Sequence, residues 1–293
     1  MKRIWVNFQY ILGVSVKYTG IIFALLGFIG MFAPLSDIIS ANLSIGKRIC
    51  ISCLILLGTW MCVFILSCLY ICHKNIYELF DVGNGHHVYV KYGDLFLGVE
   101  SKGAVPRNIV VPVNRCFDTI VDDDLISSRT LHGICMNGLY SKKKYTQGEL
   151  NKKIQNMLSE KKIGYKKISK SEKRKGNLKR FEPGTIVEIQ GDEETTYFLL
   201  GLTTFDNDLH AHTSDDEYVL AMMRMLMYNN KRSQGKALFI PLIGAGAADT
   251  RKSERDILEY LVKLIKMNRM LVNCDIYIVV RENAKGSVAI TDL

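Results

Sequence analysis

Hydrophobic positions along this chain follow two different patterns. Residues 11–33 and 49–72 are almost continuously apolar over 23 and 24 positions, and Lys17 is the one charge within them. At about 1.5 Å per residue, each run reaches roughly 35 Å, which is enough to cross the hydrocarbon core of a bilayer. A secretory signal peptide is the competing interpretation of the first run, but that run is longer than an h-region and a second run follows it. The pattern therefore predicts a hairpin of two transmembrane helices joined by residues 34–48.

Beyond Glu78 the pattern becomes that of an α/β domain. Six short apolar strands are predicted, at residues 88–92, 109–113, 186–190, 197–203, 237–242 and 275–280. Helices are predicted at residues 147–159, 216–228 and 253–267. The second helix has Ser214 and Glu217 placed as a capping box, and its predicted buried stripe consists of Val219, Leu220, Met223, Leu226 and Met227. Strands that alternate with helices of this length indicate a mixed or parallel sheet covered on both faces.

The strand at 237–242 runs directly into a small turn that contains Gly244 and Gly246, and a helix follows. Such a turn lets backbone N–H groups approach an anion closely, and the N-terminus of the next helix adds partial positive charge. The pattern predicts a phosphate-binding turn. A glycine turn also forms wherever a strand has to bend sharply, so the motif alone leaves a purely structural role open.

Positive charge is concentrated in residues 141–180, which hold 15 Lys or Arg against three Glu, a net +12 in a chain whose total is +9. One interpretation is a solvated insertion into the domain. Another is an electrostatic contact with anionic lipid headgroups. Nucleic-acid binding is less favoured because Tyr145, Tyr165 and Phe181 are the aromatic residues available there for stacking on bases.

The cysteines indicate a reducing compartment. Five of the eight lie in the second apolar run, where a thiol behaves as a small apolar group. The remainder of the chain has Cys116, Cys135 and Cys274 with no CxxC pair, so neither zinc nor a disulfide framework is predicted. Charges that flank the apolar runs favour both termini inside, although Lys47 and Arg48 in the connector oppose this. We expect the bulk of the chain to lie in the cytoplasm.

Polar residues and glycines follow the ends of four predicted strands. In chain order these are Gly93-Asp94-Leu95, Asn114-Arg115 with Asp118, Thr203-Thr204-Phe205-Asp206, and Leu242 with Gly244, Ala245, Gly246 and Ala247. This ordered set resembles the macro-domain family, whose fold is a three-layer α/β/α mixed sheet. The resemblance implies that Asp94 binds adenine, that Asn114 binds the distal ribose, and that the turn at residues 244–247 binds the diphosphate. Leu95, Arg115, Asp118 and Leu242 are further ligand-binding candidates, and Arg281 is a candidate for the adenine face.

The hairpin and the macro-like region together suggest a more specific relationship. Val111-Pro112-Val113-Asn114-Arg115-Cys116-Phe117-Asp118-Thr119, Leu131-His132-Gly133 and Leu202-Thr203-Thr204-Phe205-Asp206 resemble the ThsA effectors of type II Thoeris anti-phage systems. The resemblance implies a membrane segment at 1–80 and a macro domain at 81–293. It also implies that a TIR-domain partner makes histidine-ADP-ribose from NAD, that the macro domain binds this signal, and that the hairpins self-associate and damage the inner membrane. The infected cell then dies or stops growing.

One departure bears on catalysis. Hydrolytic macro domains follow the Asn with a Gly-rich loop, whereas this chain continues with Arg115 and reaches Asp118 and residues 122–124, all of them Asp. The departure predicts a sensor that needs no cofactor, not an enzyme; the alternatives are a membrane-tethered ADP-ribosyl hydrolase and a basic membrane protein that binds nucleic acid. These carboxylates are hypothesised to contact a protonated histidine on the ligand. His132, His210 and His212 are further candidates. His210 and His212 could form a metal pair, but no third ligand stands at a suitable spacing, so we expect a loop role for them near the ligand or at the surface.

Overall fold

The structure, a computed structural model, describes residues 2–32, 44–96, 106–244, 252–289 and 291. The chain divides into two compact units. The first consists of Met1–Tyr77 together with Asn283–Asp292, and the second of Glu78–Glu282 with Leu293.

Three helices make up most of the first unit: α1 (Lys2–Val6), α2 (Phe8–Gly30) and α3 (Ile45–His73). Both long helices are apolar enough to cross a membrane, with mean hydropathies of 1.8 for α2 and 2.6 for α3. Each begins three or four residues before the predicted start. The two helices pack through aromatic side chains, with the rings of Phe8 and Phe64 separated by 6.2 Å between centroids. Lys17 is exposed.

Residues 283–292 also belong to the first unit. Thr291 Oγ1 donates a hydrogen bond of 2.8 Å to Asn7 Oδ1, and Val288 and Ala289 are buried. A Cβ on Gly286 would lie 2.9 Å from the Cβ of Lys2, so the backbone of this segment approaches α1 closely. The sequence pattern places residues 283–292 with the macro domain, whereas the structure groups them with the N-terminal helices.

The second unit is built on a mixed sheet of eight strands within the described part of the chain. Its strands are β1 (Ile76–Asp81), β2 (His87–Tyr92), β3 (Arg107–Asn114), β6 (Ile186–Gln190), β7 (Thr195–Phe205), β8 (Ala211–His212), β9 (Ala237–Pro241) and β10 (Ile276–Val280). The order is β1-β2-β10-β9-β3-β7-β6, with β8 paired to β7. Strands β2, β10, β9, β3 and β7 are parallel, and β6 is antiparallel to β7. Two short strands, β4 (Tyr165–Lys167) and β5 (Lys179–Phe181), form a separate antiparallel ribbon.

Helices flank this sheet: α4 (Leu131–Ser141), α5 (Gln147–Glu160), α6 (Asp215–Arg232) and α7 (Glu254–Met267). Seven of the eight residues of β3 and the first nine of β7 are buried, so both faces of the sheet centre are covered, as the sequence predicted. Helix α7 begins at a capping box formed by Ser253 and Asp256. Helix α4 and the strands β1, β4, β5 and β8 were not predicted from the sequence.

The buried face predicted for α6 is wrong. Val219, Leu220 and Met227 are exposed, and the face that packs inward carries Tyr218, Ala221, Met222, Met225, Leu226 and Asn229. The capping box is half formed, because Ser214 accepts from the Glu217 N–H while the Glu217 carboxylate is paired with Arg115. Because this helix has apolar residues on two faces, the hydrophobic pattern does not identify which face is buried. The inward face also includes Tyr218 and Asn229, whose polar groups are hydrogen bonded.

Candidate functional site

The carboxyl ends of the parallel strands meet at one edge of the sheet. Val280 pairs with Tyr92, and Val279 pairs with Pro241. The Gly93 N–H then donates to Val280 O at 2.9 Å, which holds the segment after β2 against the end of β10. Open α/β sheets bind ligands in the crevice outside the carboxyl ends of their strands. The register therefore brings the segments that carry Asp94, Asn114, Leu242, Gly244 and Arg281 to the edge where a ligand is expected.

The glycine turn starts from a rigidly held strand end. The Ile243 N–H donates to Pro241 O at 2.8 Å, and the hydroxyl of buried Tyr218 donates to Ile243 O at 2.9 Å. Gly244 has φ of 101°, a conformation that strains a residue with a side chain. Tyr218 was not among the sequence candidates, although it fixes the carbonyl just before the turn. Ala245, Gly246 and Ala247 lie outside the described residues.

Asn114 is the best-defined polar group at this edge. It follows an irregularity in β3, where the partner on β7 changes from Gly201 for Val113 to Thr203 for Asn114. Its side chain is 2% exposed, and Oδ1 accepts from the N–H groups of Cys116 at 3.0 Å and Asp118 at 3.5 Å. Nδ2 is buried and has no hydrogen-bond acceptor within 3.5 Å in the described part of the chain, although the Asn114 side chain also acts on the Asp118 carboxylate and opposes the rise that burial causes in its pKa. A buried donor left unpaired costs about 1–3 kcal/mol, so this amide is suited to an acceptor supplied by a ligand.

Two other candidates are held by the protein itself. Arg115 Nε donates to Phe181 O at 2.7 Å, and its guanidinium is paired with Glu217. Asp118 Oδ2 lies 2.5 Å from Lys173 Nζ, and both side chains are 1% exposed. Asp118 Oδ1 accepts from the Asn177 N–H at 2.6 Å. Burial raises the pKa of Asp118, and the Lys173 charge and the hydrogen bonds oppose that effect.

The basic stretch also neutralises the acidic residues that follow Asp118. Lys175 Nζ lies 2.5 Å from Asp122 Oδ2 and 2.9 Å from Asp124 Oδ2, and Arg174 pairs with Asp124. The hydrogen bond from Lys175 lowers the pKa of Asp124. The cations that these carboxylates require therefore come from the chain's own residues 173–175. The contact between this acidic cluster and a ligand histidine, hypothesised from the sequence, stays a hypothesis that this geometry does not favour.

The remaining candidates, Asp94, Leu95, Leu242 and Arg281, differ in burial and in their partners. Asp94 is exposed, and its Oδ1 accepts from the Phe96 N–H at 2.7 Å, a turn that orients the carboxylate. Leu95 is buried in the core, and Leu242 is half-buried. Arg281 donates to Glu254 Oε1 at 2.7 Å. Because Glu254 is in the first turn of α7, this pair adds a carboxylate at the helix end where the sequence predicted positive potential.

His210 and His212 lie beside Asp206, whereas His132 lies in α4. His212 Nε2 lies 2.9 Å from Asp206 Oδ2, and the His210 N–H donates to Asp206 Oδ1 at 2.9 Å. In the described ranges no three His, Cys, Asp or Glu side chains converge as a metal site would require. His132 is buried in α4, with Nε2 3.0 Å from the backbone oxygen of Asp118. Since a carbonyl oxygen only accepts, Nε2 carries the proton of the neutral ring.

Burial of His132 predicts acid sensitivity of the domain. Burial lowers its pKa from 6.5 to about 4. The imidazole is therefore neutral in the folded state and takes up a proton more readily when unfolded, so its stabilising contribution is complete above pH 6.5 and is lost as the pH falls towards about 4. We expect a loss of roughly 3 kcal/mol in the free energy of unfolding over that window. Urea unfolding at a series of pH values measures it.

The matched variant for this test is His132→Gln, which keeps a donor for the Asp118 carbonyl and does not titrate. Its stability is expected to be nearly flat where the wild type declines. Parallel pH profiles for the two proteins would show that another group causes the acid sensitivity.

Comparison with known proteins agrees with the geometry. The model for the family described as "Thoeris protein ThsA, Macro domain" matches residues 88–281, which run from β2 to just beyond β10. The Thoeris protein ThsA of Bacillus amyloliquefaciens (strain Y2) is 29% identical over 176 residues, 59% of this chain and 53% of that protein. The chain thus spans about half the length of this relative. The family match includes every described strand end at the candidate site, and this chain belongs to the ThsA macro-domain family of Thoeris anti-phage proteins.

Proposed function

We propose that this protein is a membrane-anchored Thoeris effector whose macro domain binds an ADP-ribose-based signal. The observation that carries the proposal is the buried Asn114 amide at the carboxyl edge of the sheet, whose Nδ2 has no hydrogen-bond acceptor within 3.5 Å among the described residues. The family resemblance assigns this residue to the distal ribose. Asp94 would receive the adenine, Asn114 the distal ribose, and the turn that begins at Gly244 the diphosphate. Each assignment follows from the family resemblance and from the position of these segments at one sheet edge.

The signal we propose is histidine-ADP-ribose, which a TIR-domain partner would make from NAD. The resemblance to Thoeris effectors supplies this identity, and family membership supports the Thoeris context. The contact with the partner enzyme would be through its product alone.

Binding without turnover is favoured by the state of Asp118. A carboxylate that positions a hydrolytic water has to be within hydrogen-bond distance of that water. The Asp118 side chain is 1% exposed, with Lys173 at one carboxylate oxygen and the Asn177 N–H at the other. We therefore propose a sensor, with a membrane-tethered ADP-ribosyl hydrolase as the second candidate.

For the effector step we propose that α2 and α3 cross the inner membrane with the macro domain in the cytoplasm. Their lengths of 23 and 29 residues and their exposed apolar side chains support this placement. Two helices are too few to line a pore, so damage to the membrane would require several hairpins to associate. The state with dispersed hairpins would be the resting one.

The proposal is tested by calorimetric titration of the full chain in detergent with histidine-ADP-ribose, ADP-ribose and NAD, followed by chromatography of the recovered nucleotide. We expect tight binding of histidine-ADP-ribose, weaker binding of the other two, and recovery of intact ligand. A cleaved product would favour the hydrolase, and absence of binding to all three would remove the nucleotide-sensor proposal.

Ligand-driven assembly gives a second prediction. A ligand shifts an equilibrium only if it binds the two states differently, and a shift from about 1:99 to 99:1 requires roughly 5.5 kcal/mol of differential binding. Saturating histidine-ADP-ribose is expected to move the full chain in detergent from a small species to a larger oligomer. Light scattering after size-exclusion chromatography measures the mass, with NAD as the control nucleotide. An unchanged mass distribution at saturation would count against assembly as the effector step.

A further inference from the structure

The ribbon formed by β4 and β5 has an unusual arrangement of charge. Lys166 lies directly opposite Arg180, and Lys167 lies directly opposite Lys179. Like charges that face each other across an antiparallel pair destabilise it. Glu172 lies within electrostatic range of Lys166 and Arg180, but its carboxylate is hydrogen bonded to the Ser169 N–H at 3.0 Å. Within the described ranges, none of the four ribbon cations forms an ion pair.

A cationic cavity lies at the base of the ribbon. It has a volume of about 320 Å³, and Ile163, which precedes β4, and Gly184, which follows β5, both line it. Three cations also line it, namely Lys161 at the end of α5 and Arg224 and Lys231 on α6. Because successive residues of a strand point to opposite sides, Lys166 and Arg180 share one side of the ribbon and Lys167 and Lys179 share the other. We call these four cations and the three cavity cations together the basic face, which therefore includes both sides of the ribbon.

Three other cations of the basic stretch contrast with this face. Lys173, Arg174 and Lys175 are all matched by the carboxylates of Asp118, Asp122 and Asp124. Solvated protein surfaces ordinarily mix charges of both signs. The chain thus neutralises residues 173–175 and leaves the cations of the basic face without an ion pair in the described structure, which indicates an external anion.

We propose that the basic face docks on the anionic phospholipid headgroups of a bilayer. The proposal rests on the membrane placement of α2 and α3 given above. Only Lys74 and Asn75 separate the end of α3 from the start of β1, so a domain that follows a membrane-spanning α3 stays within reach of the lipid surface at high effective concentration. Basic residues close to an anionic leaflet are attracted to it additively.

The aromatic side chains of this region argue against single-stranded nucleic acid as the partner. Stacking on bases requires open ring faces. Lys179 Nζ lies 4.8 Å from the centroid of the Tyr165 ring, and Lys153 Nζ lies 4.8 Å from that of Tyr145. Each ring therefore has a lysine over one face.

Hydrogen exchange of the full chain in lipid nanodiscs tests the proposal. One set of discs is pure phosphatidylcholine, and the other contains roughly 30% phosphatidylglycerol, an anionic lipid. We expect the amides of residues 161–182 to exchange about ten-fold more slowly in the anionic discs at low salt, and this protection to disappear near about 0.5 M salt because the Debye length falls to a few ångströms.

Charge variants identify the residues responsible. Lys166→Gln with Lys167→Gln removes two ribbon charges and should reduce the anionic-disc protection at least several-fold. Lys263→Gln with Lys266→Gln removes two exposed charges from α7 and should leave it unchanged. Equal loss in both variants would mean that net charge, not the basic face, governs the contact, and would overturn the proposal.

The same experiment separates this proposal from the one on which it rests. If the amides of α2 and α3 are protected in both lipids while residues 161–182 exchange equally in both, the helices are in the membrane and the docking proposal is wrong. If α2 and α3 exchange freely, the membrane placement itself fails and the docking proposal fails with it. Protection by an added single-stranded oligonucleotide in zwitterionic discs would assign the basic face to nucleic acid instead.

Discussion

Asp118→Ala is expected to lower the free energy of unfolding of the second unit by about 3–5 kcal/mol, because it leaves the Lys173 ammonium buried without its counter-ion. Lys173 is 1% exposed, and its other hydrogen bond goes to Asn177 O at 2.9 Å, a neutral acceptor. The substitution also removes the acceptor of the Asn177 N–H. Native-state hydrogen exchange of the β3 and β7 amides in the full chain reports this loss.

Two further variants make the result specific. Asp122→Ala breaks an ion pair whose Lys175 and Asp122 side chains are 36% and 31% exposed, and it removes the acceptor of the Asp124 and Leu125 N–H groups, so it should cost about 1–2 kcal/mol. The double variant Asp118→Asn with Lys173→Met removes both buried charges and keeps an acceptor for Asn177, and it should recover most of the stability. If Asp118→Ala and Asp122→Ala cost the same, the Asp118 pair is solvated in solution and the argument that Asp118 is sealed from water fails.

This pair shows why the site was only partly predictable from the sequence. The candidates at strand ends were recognisable because an apolar strand followed by Asn or Gly has a local signature, and the structure places Asn114 and Gly244 at one edge. Lys173 and Asn177 contact Asp118 from 55 and 59 residues away, within a stretch that looks uniformly basic in the sequence. The one sequence feature that could have indicated such pairing was the distribution of net charge: residues 141–180 carry +12, and the remainder of the chain carries 9 − 12 = −3.

The fold was more predictable than the side-chain partners. Buried parallel strands are continuous apolar runs, and the six predicted ones correspond to β2, β3, β6, β7, β9 and β10. Helix α6 was located correctly, but its inward face depends on Tyr218, whose hydroxyl binds the carbonyl before the glycine turn. The spacing of hydrophobic residues does not distinguish the inward face from the exposed face with Val219 and Met227, because both faces carry apolar side chains.

The chain continues from the end of β10 into residues that belong to the first unit. Strand β10 ends at Val280, whose carbonyl accepts from the Gly93 N–H at the site edge. Arg281 is paired with Glu254, and the next residues join the first unit, where Thr291 is bonded to Asn7 just before α2. About ten residues of chain thus join the end of β10 to Thr291, which belongs to the same unit as the N-terminal helices.

Asn114→Ala is expected to weaken binding of histidine-ADP-ribose by about 10- to 100-fold, because the substitution removes the buried Nδ2 donor and leaves the ligand hydroxyl that would accept from it unpaired. Loss of the Oδ1 bonds to the Cys116 and Asp118 N–H groups would also loosen the backbone that follows β3. Calorimetric titration of the full chain in detergent measures the affinity, and circular dichroism confirms that the variant is folded.

Asn108 provides a matched control on the same strand. It is also 2% exposed, and its Nδ2 donates to Ser233 O at 3.0 Å, but it lies at the amino end of β3, away from the candidate site. Asn108→Ala should cost about 1–2 kcal/mol of stability and leave the ligand affinity within about two-fold of wild type. Equal losses of affinity in the two variants would mean that binding responds to general destabilisation of β3, and unchanged affinity in Asn114→Ala would remove the ribose assignment. Because the two asparagines share strand, burial and chemistry, a difference between them depends on which edge of the sheet binds the nucleotide.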